Sequence, residues 1–89
     1  MPARRMTVAD YVAAELAAWD VACVFGVPGD AVIPLLEALR QNRRPRFIAA
    51  RHEGAAALMA SAYAKLSGQL AACCSDAGPG AVQMLNGVY

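Results

Sequence analysis

Apolar and polar positions alternate between two periods along the chain. Val8, Tyr11, Val12, Leu16 and Trp19 recur at helical spacing. Just before them, Thr7-Val8-Ala9-Asp10 places a hydroxyl at a helix N-cap and a carboxylate three residues later, the form of a capping box. The pattern predicts a helix over roughly residues 7–19. Val21 to Phe25 is a short apolar run ended by Gly26, which suits a buried strand. A second helix follows, which Asp30 can cap. Its apolar positions are Ile33, Leu35, Leu36 and Leu39, and Pro34 falls in the first turn, where a missing N–H is tolerated.

Arg43-Arg44-Pro45 breaks that helix, and Phe47 to Ala50 is the second strand candidate. Glu53 opens a third helix reaching to about Ser67, with Leu58, Met59, Ala62, Tyr63 and Leu66 on one face and Gly68 as its stop. Leu70 to Cys74 is uninterrupted and apolar, the mark of a strand buried on both faces. A fourth helix starts after Pro79. The order α-β-α-β-α-β-α implies an α/β fold with a parallel sheet and right-handed crossovers.

Composition sharpens this picture. The chain has 89 residues, 58% of them hydrophobic, and a formal net charge of +1. That excludes a disordered tail and argues against a nucleic-acid module, which would carry a basic excess. Three parallel strands with a final helix that has no stop signal make a small domain. The expectation is therefore the first part of a larger, doubly wound α/β domain. Cys23, Cys73 and Cys74 are too few, and odd in number, for a disulfide framework. With one His, a zinc site is not expected. No apolar stretch is long enough for a transmembrane span, and Asp10, Glu15 and Asp20 follow Arg4-Arg5 too closely for a signal peptide. The expected location is the cytoplasm.

In parallel sheets, ligands bind beyond the carboxyl ends of the strands. Three loops fall there: residues 26–30, 51–53 and 75–80. Gly26-Val27-Pro28-Gly29-Asp30 is neither a dinucleotide fingerprint nor a P-loop, and Asp30 is either a helix cap or a site carboxylate. In Arg51-His52-Glu53, Glu53 is at least a favourable charge at a helix N-terminus, and His52 is open between surface and site roles. Asp76-Ala77-Gly78-Pro79-Gly80 is either a tight turn into a helix or an anion-binding helix start. Arg40, Arg43, Arg44 and Arg46 read as a solvated patch. The Ala-rich helix from Glu53 to Ser67 reads as core rather than interface.

Taken together and in order, Val24-Phe25-Gly26-Val27-Pro28-Gly29-Asp30, Arg51-His52-Glu53 with Ala55-Ala56 and Met59-Ala60, Ala62-Tyr63-Ala64 with Gly68, and Gly78-Pro79-Gly80 with Asn86-Gly87 resemble the thiamine diphosphate enzymes. The resemblance is to the N-terminal, flavodoxin-like pyrimidine-binding domain of the acetolactate synthase and pyruvate oxidase group. It spans nearly the whole chain, so residues 1–89 are expected to be the N-terminal portion of that domain. Gly78-Pro79-Gly80 followed by Asn86-Gly87-Val88-Tyr89 is most similar to pyruvate oxidase or pyruvate dehydrogenase (quinone). Asp76-Ala77 departs from the Thr-Ser of many acetolactate synthases.

The resemblance implies a catalytic role for Glu53. The matching carboxylate hydrogen-bonds N1′ of the cofactor's aminopyrimidine and promotes the imino form that takes the thiazolium C2 proton. It implies that Pro28, Gly29, Gly78, Pro79 and Gly80 line the cofactor cleft, with Asp30 and His52 on the substrate side. It implies a 2-keto acid such as pyruvate as substrate. Thiamine diphosphate would be held through Mg²⁺ by a second domain whose motif this sequence lacks, and FAD, in a full-length oxidase, by a middle domain. Family sites form between subunits, so a homo-oligomer is implied, and the 89-residue chain is not expected to turn over substrate alone. Three readings stand beside the oxidase one: an acetolactate synthase-type carboligase fragment, a non-catalytic truncated paralogue acting as an interaction module, and a small anion-binding α/β protein.

Overall fold

The computed structural model describes residues 6–42 and 44–88. Arg4, Arg5, Arg43 and Tyr89, which enter the sequence reading, lie outside the described residues. The elements run α1 (Val8–Ala18), β1 (Cys23–Gly26), a 3-10 turn (Asp30–Val32), α2 (Ile33–Asn42), β2 (Arg46–Ala49), α3 (Glu53–Ser67), β3 (Ala71–Cys74), α4 (Pro79–Gln83) and α5 (Leu85–Val88). This is the expected α/β order, with the last helix split in two at Met84.

Local signals set the helix ends. Thr7 and Asp10 form both halves of the capping box, each at 3.1 Å. Gly68 ends α3 at φ 74°, in the left-handed region that glycine adopts without a Cβ penalty. The Arg44–Pro45 peptide bond is cis, and Pro45 is fully buried where the chain enters β2.

The sheet is parallel, in the order β2-β1-β3. Gly26 stands in register with Ala49 on one side and Cys74 on the other, so all three strands end level. Alternation along β1 sends Val24 to one face and Cys23 and Phe25 to the other. Val24 packs with Ala13, Ala38 and Leu39 beneath α1 and α2. Phe25 packs with Ala56 and Ala60 of α3, and its ring meets that of Tyr63 at 6.0 Å between centroids. Helices therefore cover both faces, as the doubly wound reading requires.

Two burial expectations change. β3 is half-buried rather than buried on both faces, because it is an edge strand of this sheet. The faces of α1 and α3 are also not those the large residues mark. In α1, Ala13 is buried and Ala9 and Leu16 pack beside it, whereas Val8, Tyr11, Val12 and Trp19 are exposed. In α3 the buried residues are Gly54, Ala56, Ala57 and Ala60, whereas Leu58 and Met59 are exposed and Leu66 is 90% exposed. Small side chains let a helix approach a sheet or a second helix closely, and the close side takes the core. The Ala-rich stripe is core, as read from the sequence.

Candidate functional site

The three loops meet at the carboxyl edge of the sheet, and the loop after β3 joins the other two. On one side, Asp76 Oδ1 accepts a hydrogen bond from the backbone N–H of Ala31 at 3.1 Å. The same carboxylate fills the space beside Gly29: a Cβ built there would collide with Oδ2 and stand 2.6 Å from Cγ. On the other side, Gly80 in the first turn of α4 lies against Glu53 in the first turn of α3. A Cβ on Gly80 would stand 2.9 Å from Glu53 Oε2.

Glu53 is half-buried and sits where the positive end of the α3 dipole favours a carboxylate. Among the described residues, no hydrogen bond or ion pair engages its oxygens. His52 is the N-cap of α3: its Nδ1 accepts from Gly54 N at 3.0 Å, so that nitrogen carries no proton in this arrangement. The imidazole lies over Gly54, where a Cβ would stand 3.0 Å from Cε1. His52 thus holds the helix turn that carries Glu53.

The remaining predicted residues fall at the same edge. Pro28 is exposed in the loop after β1. Gly78 is the N-cap of α4 at φ 85°, ψ −141°, a backbone that only glycine adopts readily, and Pro79 follows at the first helical position. Asp30 is exposed and opens the 3-10 turn. It is not the cap expected from sequence: the N-cap is Gly29, no side chain of the turn caps it, and Asp76 supplies the acceptor instead. No local signal marks Asp76 for this role; what distinguishes it in the sequence is that Asp76-Ala77 stands where many acetolactate synthases carry Thr-Ser. With five residues, α4 has too few aligned peptides to attract an anion strongly on its own.

Beneath the loops, burial pushes the Cys73 thiol up from its ordinary value. Burial does the same for Cys74, helped by the charges of Cys73 and Asp76. Gly87 explains the Asn-Gly pair near the end of the sequence. It is buried, and a Cβ there would collide with the α3 backbone at Ala57 and Leu58, so α5 crosses α3 in close contact.

Residues 6–89 match the family model described as thiamine pyrophosphate enzyme, N-terminal TPP binding domain. The chain belongs to the thiamine pyrophosphate enzyme family. A putative thiamine pyrophosphate-containing protein, YdaP, of Bacillus subtilis is 51% identical over 72 residues, covering 80% of this chain and 12% of the relative. Pyruvate oxidase of Lactiplantibacillus plantarum is 40% identical over 75 residues, covering 83% and 12%. The acetolactate synthase large subunit of Corynebacterium glutamicum is 35% identical over 81 residues, covering 91% and 13%. The chain thus spans about an eighth of the length of these curated relatives.

Family membership makes this a thiamine diphosphate-binding domain, and the carboxyl edge of the sheet offers an open acceptor, Glu53, over a glycine floor. A ring nitrogen of an aminopyrimidine fits such an acceptor. Among the described residues, no group of three or more His, Cys, Asp or Glu could hold a metal ion. No described helix is long and apolar enough to cross a membrane.

Proposed function

We propose that this chain is the N-terminal portion of the pyrimidine-binding domain of a thiamine diphosphate-dependent enzyme that decarboxylates a 2-keto acid such as pyruvate. The observation that carries the reading is the placement of Glu53. It stands on the first turn of α3, level with the loops after β1 and β3, with Gly80 against its carboxylate. When bound, the cofactor supplies the electron sink that decarboxylation needs. Glu53 would hold and return a proton at a ring nitrogen of the aminopyrimidine, and His52 would fix the turn that aims it. Gly29 and Gly80 would let the backbone approach the ring, with Pro28, Gly78 and Pro79 shaping the cleft. Asp30, exposed at the mouth of the first loop, would face the substrate.

The oxidase-like reading rests on the higher identity to the pyruvate oxidase than to the acetolactate synthase, 40% against 35%. A carboligase of the latter kind is the second reading. We further propose that FAD and the Mg²⁺ site belong to other parts of a longer protein, that the active assembly is a homo-oligomer in the cytoplasm, and that the 89 residues alone do not turn over. Exposed Leu58, Leu66, Leu85 and Val88 support further protein covering α3 and α5.

Glu53→Gln in the full-length protein tests the reading. Gln keeps the shape and loses the proton acceptor. Cofactor-dependent decarboxylation of pyruvate should fall about 10²–10⁴-fold with the melting temperature unchanged. Undiminished turnover would remove the proposal, and co-purification with a full-length subunit regardless of Glu53 would favour an interaction module.

A further inference from the structure

Gly29 poses a question that its backbone does not answer. Its φ and ψ, −160° and 170°, are extended values that any residue adopts, so conformation does not call for glycine. Space does. The Asp76 carboxylate, 47 positions further along the chain, occupies the volume a side chain at position 29 would need. Its Oδ1 accepts from Ala31 N at 3.1 Å, and the Ser75 hydroxyl donates to the Asp76 carbonyl at 2.8 Å. The two loops leave the sheet from Gly26 and Cys74, which are paired in register. Beyond that pair, Asp76 is the side chain that spans from one loop to the other.

We propose that Asp76 is a positioning residue, a strap that fixes the loop carrying Pro28 and Gly29 against the loop carrying Gly78, Pro79 and Gly80, and so preforms the pyrimidine cleft. The proposal rests on the functional reading above. A cleft held open at fixed width before the ligand arrives avoids the ordering cost of assembling it on binding. Asp76 itself need not touch the ring. Its effect passes through Ala31 and Gly29 on one side and through the α4 start, with Gly80 and Glu53, on the other.

The test uses the full-length protein with two readouts: the dissociation constant for thiamine diphosphate, and amide hydrogen exchange at Ala31 without cofactor. Asp76→Ala should weaken cofactor binding about fivefold, the size of one net hydrogen bond, and speed exchange at Ala31. Asp76→Asn keeps an oxygen that can accept from Ala31 and should restore both. Gly29→Ala should expel the carboxylate and speed the same exchange, with no further loss when combined with Asp76→Ala. Unchanged binding and exchange in Asp76→Ala, an Asn variant as weak as the Ala variant, or strictly additive losses with Gly29→Ala would each overturn the strap. If Asp76→Ala does not fold, Asp76→Asn and Gly29→Ala alone decide by the same exchange readout. A wild-type protein that binds no thiamine diphosphate would instead overturn the functional reading, and the strap's cofactor role with it.

Discussion

The Glu53 carboxylate lies against the Cα of Gly80, so close that a Cβ there would stand 2.9 Å from Oε2 and 3.2 Å from Cδ. The glycine of the third loop thus leaves room for a carboxylate that belongs to the second.

Gly80→Ala should separate fold from function. The new methyl meets the far end of a flexible side chain, which can swing away, and alanine is favoured over glycine in a helix by about 1 kcal/mol. Thermal stability should therefore hold or rise slightly. The carboxylate is displaced, and on the proposed function cofactor-dependent activity of the full-length protein should fall at least tenfold, because there Glu53 acts on the cofactor and misplacing such a group by an ångström is costly. Melting curves alongside turnover assays check both halves. Activity equal to wild type would show that Glu53 needs no support from Gly80.

Gly87→Ala should do the opposite. Here the methyl meets the backbone of α3 at Ala57 and Leu58, which cannot rotate out of the way. Overpacking of this kind costs about 1–3 kcal/mol. Urea denaturation should show a lower midpoint at unchanged slope.

Thr7→Ala removes the side chain that accepts from Asp10 N and dissolves the capping box of α1. The expected loss is about 1 kcal/mol of stability. Since α1 lies on the face of the sheet opposite α3, cofactor affinity should not change.

The thiols of Cys73 and Cys74 predict a pH dependence. Burial raises both above the ordinary value of 9.0, and for Cys74 the charges of Cys73 and Asp76 add to it. A raised thiol keeps its proton longer folded than unfolded. Stability should thus be undiminished below pH 9.0 and decline as pH rises from there through the folded values. Denaturation midpoints at about pH 8 and pH 10 check the sign. A Cys73→Ala, Cys74→Ala double variant should lose less than wild type across that interval.

Much of the architecture is legible in the sequence because its causes are local. The α1 capping box needs only Thr7 and Asp10, three residues apart, and the end of α3 needs only the left-handed freedom of Gly68. Strand order of appearance and the parallel sheet follow from alternating periods, since parallel strands require crossovers. The pattern places Pro28, Gly29, Glu53 and Gly78 to Gly80 in loops after the strands, and the resemblance to the thiamine diphosphate enzymes marks them as site candidates.

What the sequence could not decide depends on partners far along the chain. Large apolar residues mark a hydrophobic face, but contact distance chooses the buried one. α3 therefore turns Ala56, Ala57 and Ala60 inward and leaves Leu66 outside. The edge position of β3, and with it its half-burial, is a property of strand order rather than of the apolar run itself. Likewise Gly29 and Asp76 read separately as a turn glycine and a loop carboxylate. Only folding brings them together and shows that one leaves room for the other. Sequence by itself determined which segments become helices and strands and where the loops between them fall, because propensity, capping and period act over a few residues. The tertiary structure alone decided which faces are buried and which loop holds which, because packing compares distances between residues that the chain order keeps apart.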